Sequence, residues 1–362
     1  MAQNMATFLF LSLLIVFVGL SEAQNQHVPA MYVFGDSLVD VGNNNHLKIS
    51  IAKANFPHNG IDYPGNKPTG RFSNGKNCAD FIAEKAGLAS PPPYLSIESK
   101  TSNGAFPITG VSFASGGAGI FNGTDERYRQ SLPLPKQVTY FSNVYEDLVQ
   151  QLGAAGAQDH LSKSLFTLVV GSNDLFDYFS GSNASISNKT PPQQYVDSML
   201  TAFKQVLKKL HGFGGRKYVI AGIGALGCCP SQRNRNKDEE CYEGENQMAL
   251  KYNEGLKLML EGLKSELNGN MKYSYIDVYG VFDSFIKTPS TFGFTEVKAA
   301  CCGVGNLKAQ APCLPVATYC SNRSDHIFWD LYHPTEKTAR NLVDMVFDGS
   351  QNPMNIKQLI AA

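Results

Sequence analysis

Four residues in this chain have the types and neighbours that acyl chemistry needs. Ser37 sits in "FGDSLVDVGNNNH", Asn173 in "VVGSND", and Asp330 and His333 in "FWDLYHPT". A serine hydroxyl attacks a carbonyl only when a base takes its proton and a third group orients that base. Hydrogen-bond donors must also meet the charge that forms on oxygen. Asp330 stands three residues before His333, a spacing that can hold a carboxylate at Nδ1 while Nε2 faces a serine. Pro334 follows and biases His333 toward extended backbone at a helix entrance. None of this is decisive alone. The elbow pattern G-x-S-x-G is absent, Gly, Asp, Ser and Asn are what turns favour, and D-x-x-H is common in surface loops.

The elements that must position these residues are legible as an alternation. Short β-branched or aromatic runs start at Ala30 ("AMYVF"), Gly110 ("GVSFA"), Ser164 ("SLFTLVVG"), Arg216 ("RKYVIAG") and Met271 ("MKYSYIDV"). Most lack strict two-residue alternation, as in strands buried on both faces of a parallel sheet. Helical patterns intervene: one from about Asn77 to a stop at Gly87, one carrying Tyr195, Met199, Phe203, Val206 and Leu210 on a single stripe, and one through "EGENQMALKYNEGLKLMLEGLKSEL". A last one opens with Pro334, a residue suited to the first helical position. The pattern predicts a doubly wound α/β sandwich. Long loops rich in Gly, Pro and Asn are expected at 42–69, 90–107, 132–135 and 288–322. Ser37, "ASGGAG" and "GSND" each follow an expected strand, so they fall on one edge of the sheet, where such folds bind ligands.

"GIGALG" (Gly222–Gly227) matches a dinucleotide fingerprint, but Cys228-Cys229-Pro230 follow where a helix should begin on the phosphate. It reads better as a turn that lets backbones approach closely. Phe8 to Leu20 is an uncharged apolar run of signal-peptide length followed by Ser21-Glu22-Ala23, so residues 1–23 are expected to be a cleaved signal and residues 24–362 a single domain. That run is short of the about 20 apolar residues a spanning helix needs, and no second apolar stretch of its length occurs. Lys plus Arg and Asp plus Glu are both 31, which argues against binding to nucleic acid or anionic membrane. Eight cysteines, all after residue 23, favour disulfides in an exported protein, and eight allow 105 connectivities. No cysteine or histidine pair has zinc-ligand spacing. Asn122, Asn183, Asn188 and Asn322 lie in glycosylation sequons, consistent with an extracellular glycoprotein.

Six stretches in register carry a resemblance: "VFGDSLVDVGNNN", "PTGRFSNGKNCADFIA", "GVSFASGGAGI", "VVGSND", "GIGALGCCPS" and "FWDLYHPTEKTAR". Together they resemble the plant GDSL esterase/lipase family of the SGNH hydrolase superfamily, from Val33 to Arg340. The resemblance implies a three-layer α/β/α sandwich with a five-stranded parallel, flavodoxin-like sheet. It implies a catalytic Ser37, His333 and Asp330, and an oxyanion hole made of the Ser37 N–H, a glycine N–H and the Asn173 amide. That glycine is expected to be Gly117, with Gly119 in reserve. Where the family usually has Asn this chain has Ser112, and where it often has Pro there is Ala225, expected to affect only the turn. Asp36, Arg71 and Asn43 to Asn45 are expected to be structural. The implied activity is secreted, extracellular hydrolysis of a small-molecule or lipid ester, a cell-wall acyl ester included, with no metal or organic cofactor. Two rivals are an extracellular acyltransferase with the same triad and a catalytically inactive cell-wall binding glycoprotein.

Overall fold

Four five-residue runs, almost wholly apolar, can be buried on both faces only in the middle of a layered structure. In the computed structural model, which describes residues 28–98, 105–124, 126–180 and 190–362, they do so as one parallel sheet. Its strands are β1 (Met31–Gly35), β2 (Leu165–Val169), β3 (Lys217–Ala221) and β4 (Lys272–Ile276), in the order β1-β2-β3-β4. The expected signal segment and the sequons at Asn183 and Asn188 lie outside the described residues.

The fifth expected strand, "GVSFA", takes a different form. Residues 109–115 run beside β1, with Val33 N–H donating to Val111 O at 3.1 Å and Phe113 N–H to Val33 O at 2.7 Å. Only isolated bridges form, from Ser112 to Val33 and to Pro93. Gly110, at φ +114°, lies against the Met31 backbone, where a Cβ would be 2.0 Å from the Met31 carbonyl oxygen. The result is a four-stranded sheet with an irregular fifth member, and the spatial order is that of the flavodoxin-like switch-point sheet.

Helices cover both faces. On one side lie α2 (Leu134–Lys163), α4 (Pro192–Gly212) and α5 (Glu243–Glu266), with Phe141 of α2 set edge-on to Tyr32 and Phe34 of β1. On the other lie α1 (Cys78–Lys85), α7 (Glu336–Phe347) and α8 (Ile356–Ala361). Shorter α3 (Ser172–Ser180) and α6 (Val278–Lys287) leave the ends of β2 and β4. Asn77 caps α1 in a reciprocal capping box, and Gly87 ends the turn at φ +75°. The 30-residue α2 was not expected from the sequence, because non-helical Gly153 and its small neighbours break the apolar period. Pro334 stands before α7 rather than in it; Thr335 is the cap and its side chain accepts from the Thr338 N–H.

The 288–322 segment is not simple loop. It holds β5 (Glu296–Ala300), which pairs with β6 (His326–Phe328). Disulfides Cys301–Cys320 and Cys302–Cys313 tie it, and Cys228–Cys241 ties the turn after "GIGALG". Cys78 and Cys229 remain free, so only six of the eight cysteines pair. Gly227 meets the expectation of close approach, since a Cβ there would lie 2.0 Å from the Tyr242 carbonyl oxygen.

Arg71 and Asp80 form a buried two-pronged ion pair, Nε to Oδ2 at 2.7 Å and Nη2 to Oδ1 at 2.6 Å. Removing one partner leaves the other charge buried and alone. Arg71→Met is expected to lower unfolding stability by about 3–5 kcal/mol, read from urea denaturation. A loss under about 1 kcal/mol would mean that the pair behaves as a surface contact.

Candidate active site

The turn after β1 is built to be tight. A Cβ on Gly35 would lie 2.1 Å from the Val169 carbonyl oxygen, so β1 and β2 can close together only over a glycine there. Gln137, fully buried on α2, brackets the same residue: its Oε1 accepts from Gly35 N–H and its Nε2 donates to Gly35 O, both at 2.8 Å. The chain then turns, and Ser37 emerges at the carboxyl end of the sheet.

His333 meets it from the loop between β6 and α7. Its Nε2 stands 2.7 Å from Ser37 Oγ, and its Nδ1 stands 2.7 and 2.8 Å from the two carboxylate oxygens of Asp330. Asp330 Oδ1 also accepts from the N–H groups of Tyr332 and His333, at 3.0 and 2.9 Å. Burial alone would raise the Asp330 carboxyl, but the His333 ring and these hydrogen bonds hold it below the usual carboxylate range. Trp329 N–H donates to His333 O at 2.7 Å, and the buried Trp329 indole donates to Asn59 Oδ1 at 3.0 Å. The loop is therefore pinned at both ends. The Phe72 ring lies 4.9 Å from the His333 ring, and Asn74 accepts from Glu336 N–H while Glu336 accepts from Lys76 N–H. The "PTGRFSNGKN" stretch thus braces the histidine loop.

Gly117 and Asn173 face the same space. Asn173 opens α3, just after β2, and its Nδ2 donates one hydrogen to Ala118 O at 2.9 Å, leaving the second for another acceptor. Asp174, wholly buried, accepts from Ile120 N–H, Phe121 N–H and Thr124 Oγ1, so it fixes the 118–124 loop beside the amide. Burial pushes its carboxyl up to about 6, with those donors acting against the shift. Gly117, at φ +82°, lines the cavity; Gly119 does not, and instead lies against the Thr124 side chain. The Ser37 and Gly117 N–H groups have no hydrogen-bond partner among the described residues.

The three asparagines after Ser37 are laces. Asn43 Nδ2 donates to Ser112 O and Ala114 O, and Asn44 Nδ2 to Ala52 O and Gly116 O. Asn45 Nδ2 donates to Thr69 O. Asp40 accepts from Gly42, Asn43 and Gly116 N–H, so one carboxylate sets both the asparagine turn and the glycine before Gly117. Ser112 is buried behind this lacing and does not line the cavity. Ala225 does line it, which goes beyond the turn effect expected of it. Asp36 is also more than a turn residue: it lines the cavity beside Ser37, one carboxylate oxygen has no hydrogen-bond partner among the described residues, and burial pushes it up to about 7.

The cavity encloses about 380 Å³ and runs from Ser37, Asn173 and His333 into apolar surroundings. Its size is that of a small-molecule site. Among the described residues no cluster of His, Cys, Asp or Glu has metal-binding geometry. Sequence reading missed Gln137, Phe72 and Asp174 as supports. Only Asp174, directly after Asn173, carried a local signal.

A family model described as GDSL-like lipase/acylhydrolase matches residues 31–346. A GDSL esterase/lipase of Arabidopsis thaliana is 48% identical over 355 residues, covering 95% of this chain and 94% of the relative. A second from the same plant is 37% identical over 336 residues, 92% of this chain and 85% of the relative. A third is 36% identical over 316 residues, 87% of each.

Proposed function

The chain belongs to the GDSL-like lipase/acylhydrolase family and is an ester hydrolase acting on small-molecule esters; from that premise we propose that Ser37, His333 and Asp330 carry out hydrolysis through an acyl-enzyme. The single observation that supports this reading most is the 2.7 Å contact between Ser37 Oγ and His333 Nε2, with a buried carboxylate on the far ring nitrogen. Ser37 Oγ attacks the ester carbonyl carbon as Nε2 takes its proton. The Ser37 and Gly117 N–H groups and the Asn173 amide donate to the oxyanion. The carbonyl re-forms, the alcohol leaves with the proton held by His333, and an acyl ester remains on Ser37. Water then gives its proton to Nε2 and attacks that ester, releasing the acid and restoring the serine.

A fluorophosphonate, which reacts with activated serines, tests the nucleophile. Mass spectrometry is expected to find it on the peptide carrying Ser37, with loss of activity on a soluble ester; modification elsewhere overturns the assignment. Asn173→Ala is expected to lower kcat by about 10²–10³, with KM little changed. A rise in KM at unchanged kcat would make Asn173 a substrate-binding residue instead.

We also propose that the protein is secreted. Three disulfides, the apolar segment at 8–20 and exposed sequons at Asn122 and Asn322 support this. Among the described residues no helix is long and apolar enough to cross a membrane. Protein recovered from culture medium is expected to begin at Gln24 and to lose mass on glycosidase treatment.

A further inference from the structure

The far part of the cavity is lined by the last residues of successive strands. Val169 ends β2, Ala221 ends β3 and Ile276 ends β4, and Ala221 is paired with Ile276 across the sheet. The cavity therefore crosses the strands instead of running along one. From the end of β1, where Ser37 emerges, to β4 is three strand spacings, about 14 Å. Beyond Ile276 stand Val278 and Phe282, at the start of α6, and the Phe282 ring lies 6.1 Å from that of Phe328.

Ile82, Ala339, Phe328 and Ile276 all line this space yet are at most 3% exposed. The charged residues of the lining come from the β1 turn, the 47–56 loop and the His333 loop; β3, β4, α6 and α7 contribute none. Thr338, a hydroxyl in this stretch, is already occupied, donating to Ile327 O at 2.8 Å. A polar acyl group would lose hydration here without replacement, whereas each methylene would gain by leaving water.

Building on the ester-hydrolase reading, we propose that Val278 and Phe282, beyond Ile276 in this apolar limb, set the length of the linear aliphatic acyl chain that it takes. With C–C bonds of ~1.5 Å in a staggered chain, about 14 Å holds about ten carbons. The alcohol half lies toward the open mouth, where Ile51 and Leu314 are exposed and where water enters for the second step.

The test is a series of p-nitrophenyl esters from acetate to palmitate, read as kcat/KM. The wild-type value is expected to rise by up to about fourfold per methylene and to level off or fall beyond about ten carbons. Val278→Trp should move the optimum to shorter chains and Phe282→Ala to longer ones. A profile flat or falling from acetate, in protein whose Ser37 still reacts with fluorophosphonate, overturns the chain-length proposal alone. So does an optimum that neither substitution moves. If no ester is cleaved and Ser37 stays unlabelled, the serine mechanism falls as well.

Discussion

Ser37→Ala is expected to leave a folded protein whose ester hydrolysis drops by about 10⁶-fold in kcat, the loss seen when a triad nucleophile is removed elsewhere. Folding should survive because the Ser37 hydroxyl makes one contact, to His333 Nε2, and the turn is held by other groups. Those groups are Gln137 on Gly35 and the Asp36 N–H donating to Val169 O at 3.0 Å. What remains is the rate that the oxyanion donors and binding supply without a nucleophile. The measurement is kcat on a soluble ester, with unfolding by urea run in parallel. Activity within tenfold of wild type would assign the attack to another group. Equal loss of activity and of urea stability would mean that Ser37 acts on the fold.

Asp330→Asn should be the next largest loss, about 10⁴-fold in kcat by analogy with the serine protease triad. The reason lies in hydrogen-bond direction. A carboxylate can only accept, so it keeps the proton on His333 Nδ1 and leaves Nε2 free to take one from Ser37. An asparagine amide turned toward Nδ1 donates, which puts the proton on Nε2 and blocks the base. Asn cannot present oxygen everywhere, because Oδ1 of Asp330 already accepts from two backbone N–H groups as well as the ring. The Asp330 carboxyl is held below its usual range, so it stays ionised and acts only as an acceptor across neutral pH. kcat is to be measured for both proteins on a soluble ester at several pH values from about 5 to 9. An unchanged rate across that range would show that Asp330 does not orient His333.

The parts of this molecule that the sequence disclosed are those with local causes. Four of the five strands were visible as runs buried on both faces, and α1 was visible from Asn77 and Gly87, because a capping box and a positive-φ stop are written within a few residues. The grouping of Ser37, "ASGGAG" and "GSND" on one edge followed from each coming after a strand. Asp330 and His333 were readable as a pair because both oxygens of the carboxylate reach the ring within a single turn of chain.

The rest depended on contacts between distant residues. Whether "GVSFA" forms a ladder depended on how its backbone meets distant β1, where Ser112 makes only an isolated bridge to Val33. Gln137 brackets Gly35 across 102 residues, and Asp174 fixes the loop beside Asn173 from 50 or more residues away. Which cysteines pair, and that Cys78 and Cys229 instead border the cavity, followed from where their elements pack. Residue types could name a nucleophile, a base and an acid, since those roles are properties of single side chains and short spacings. The choice of Gly117 over Gly119 at the cavity wall, and an apolar stretch that crosses the strand ends, are properties of the space between elements. No short stretch of sequence encodes that space, because it exists only where the ends of four strands and parts of four helices meet.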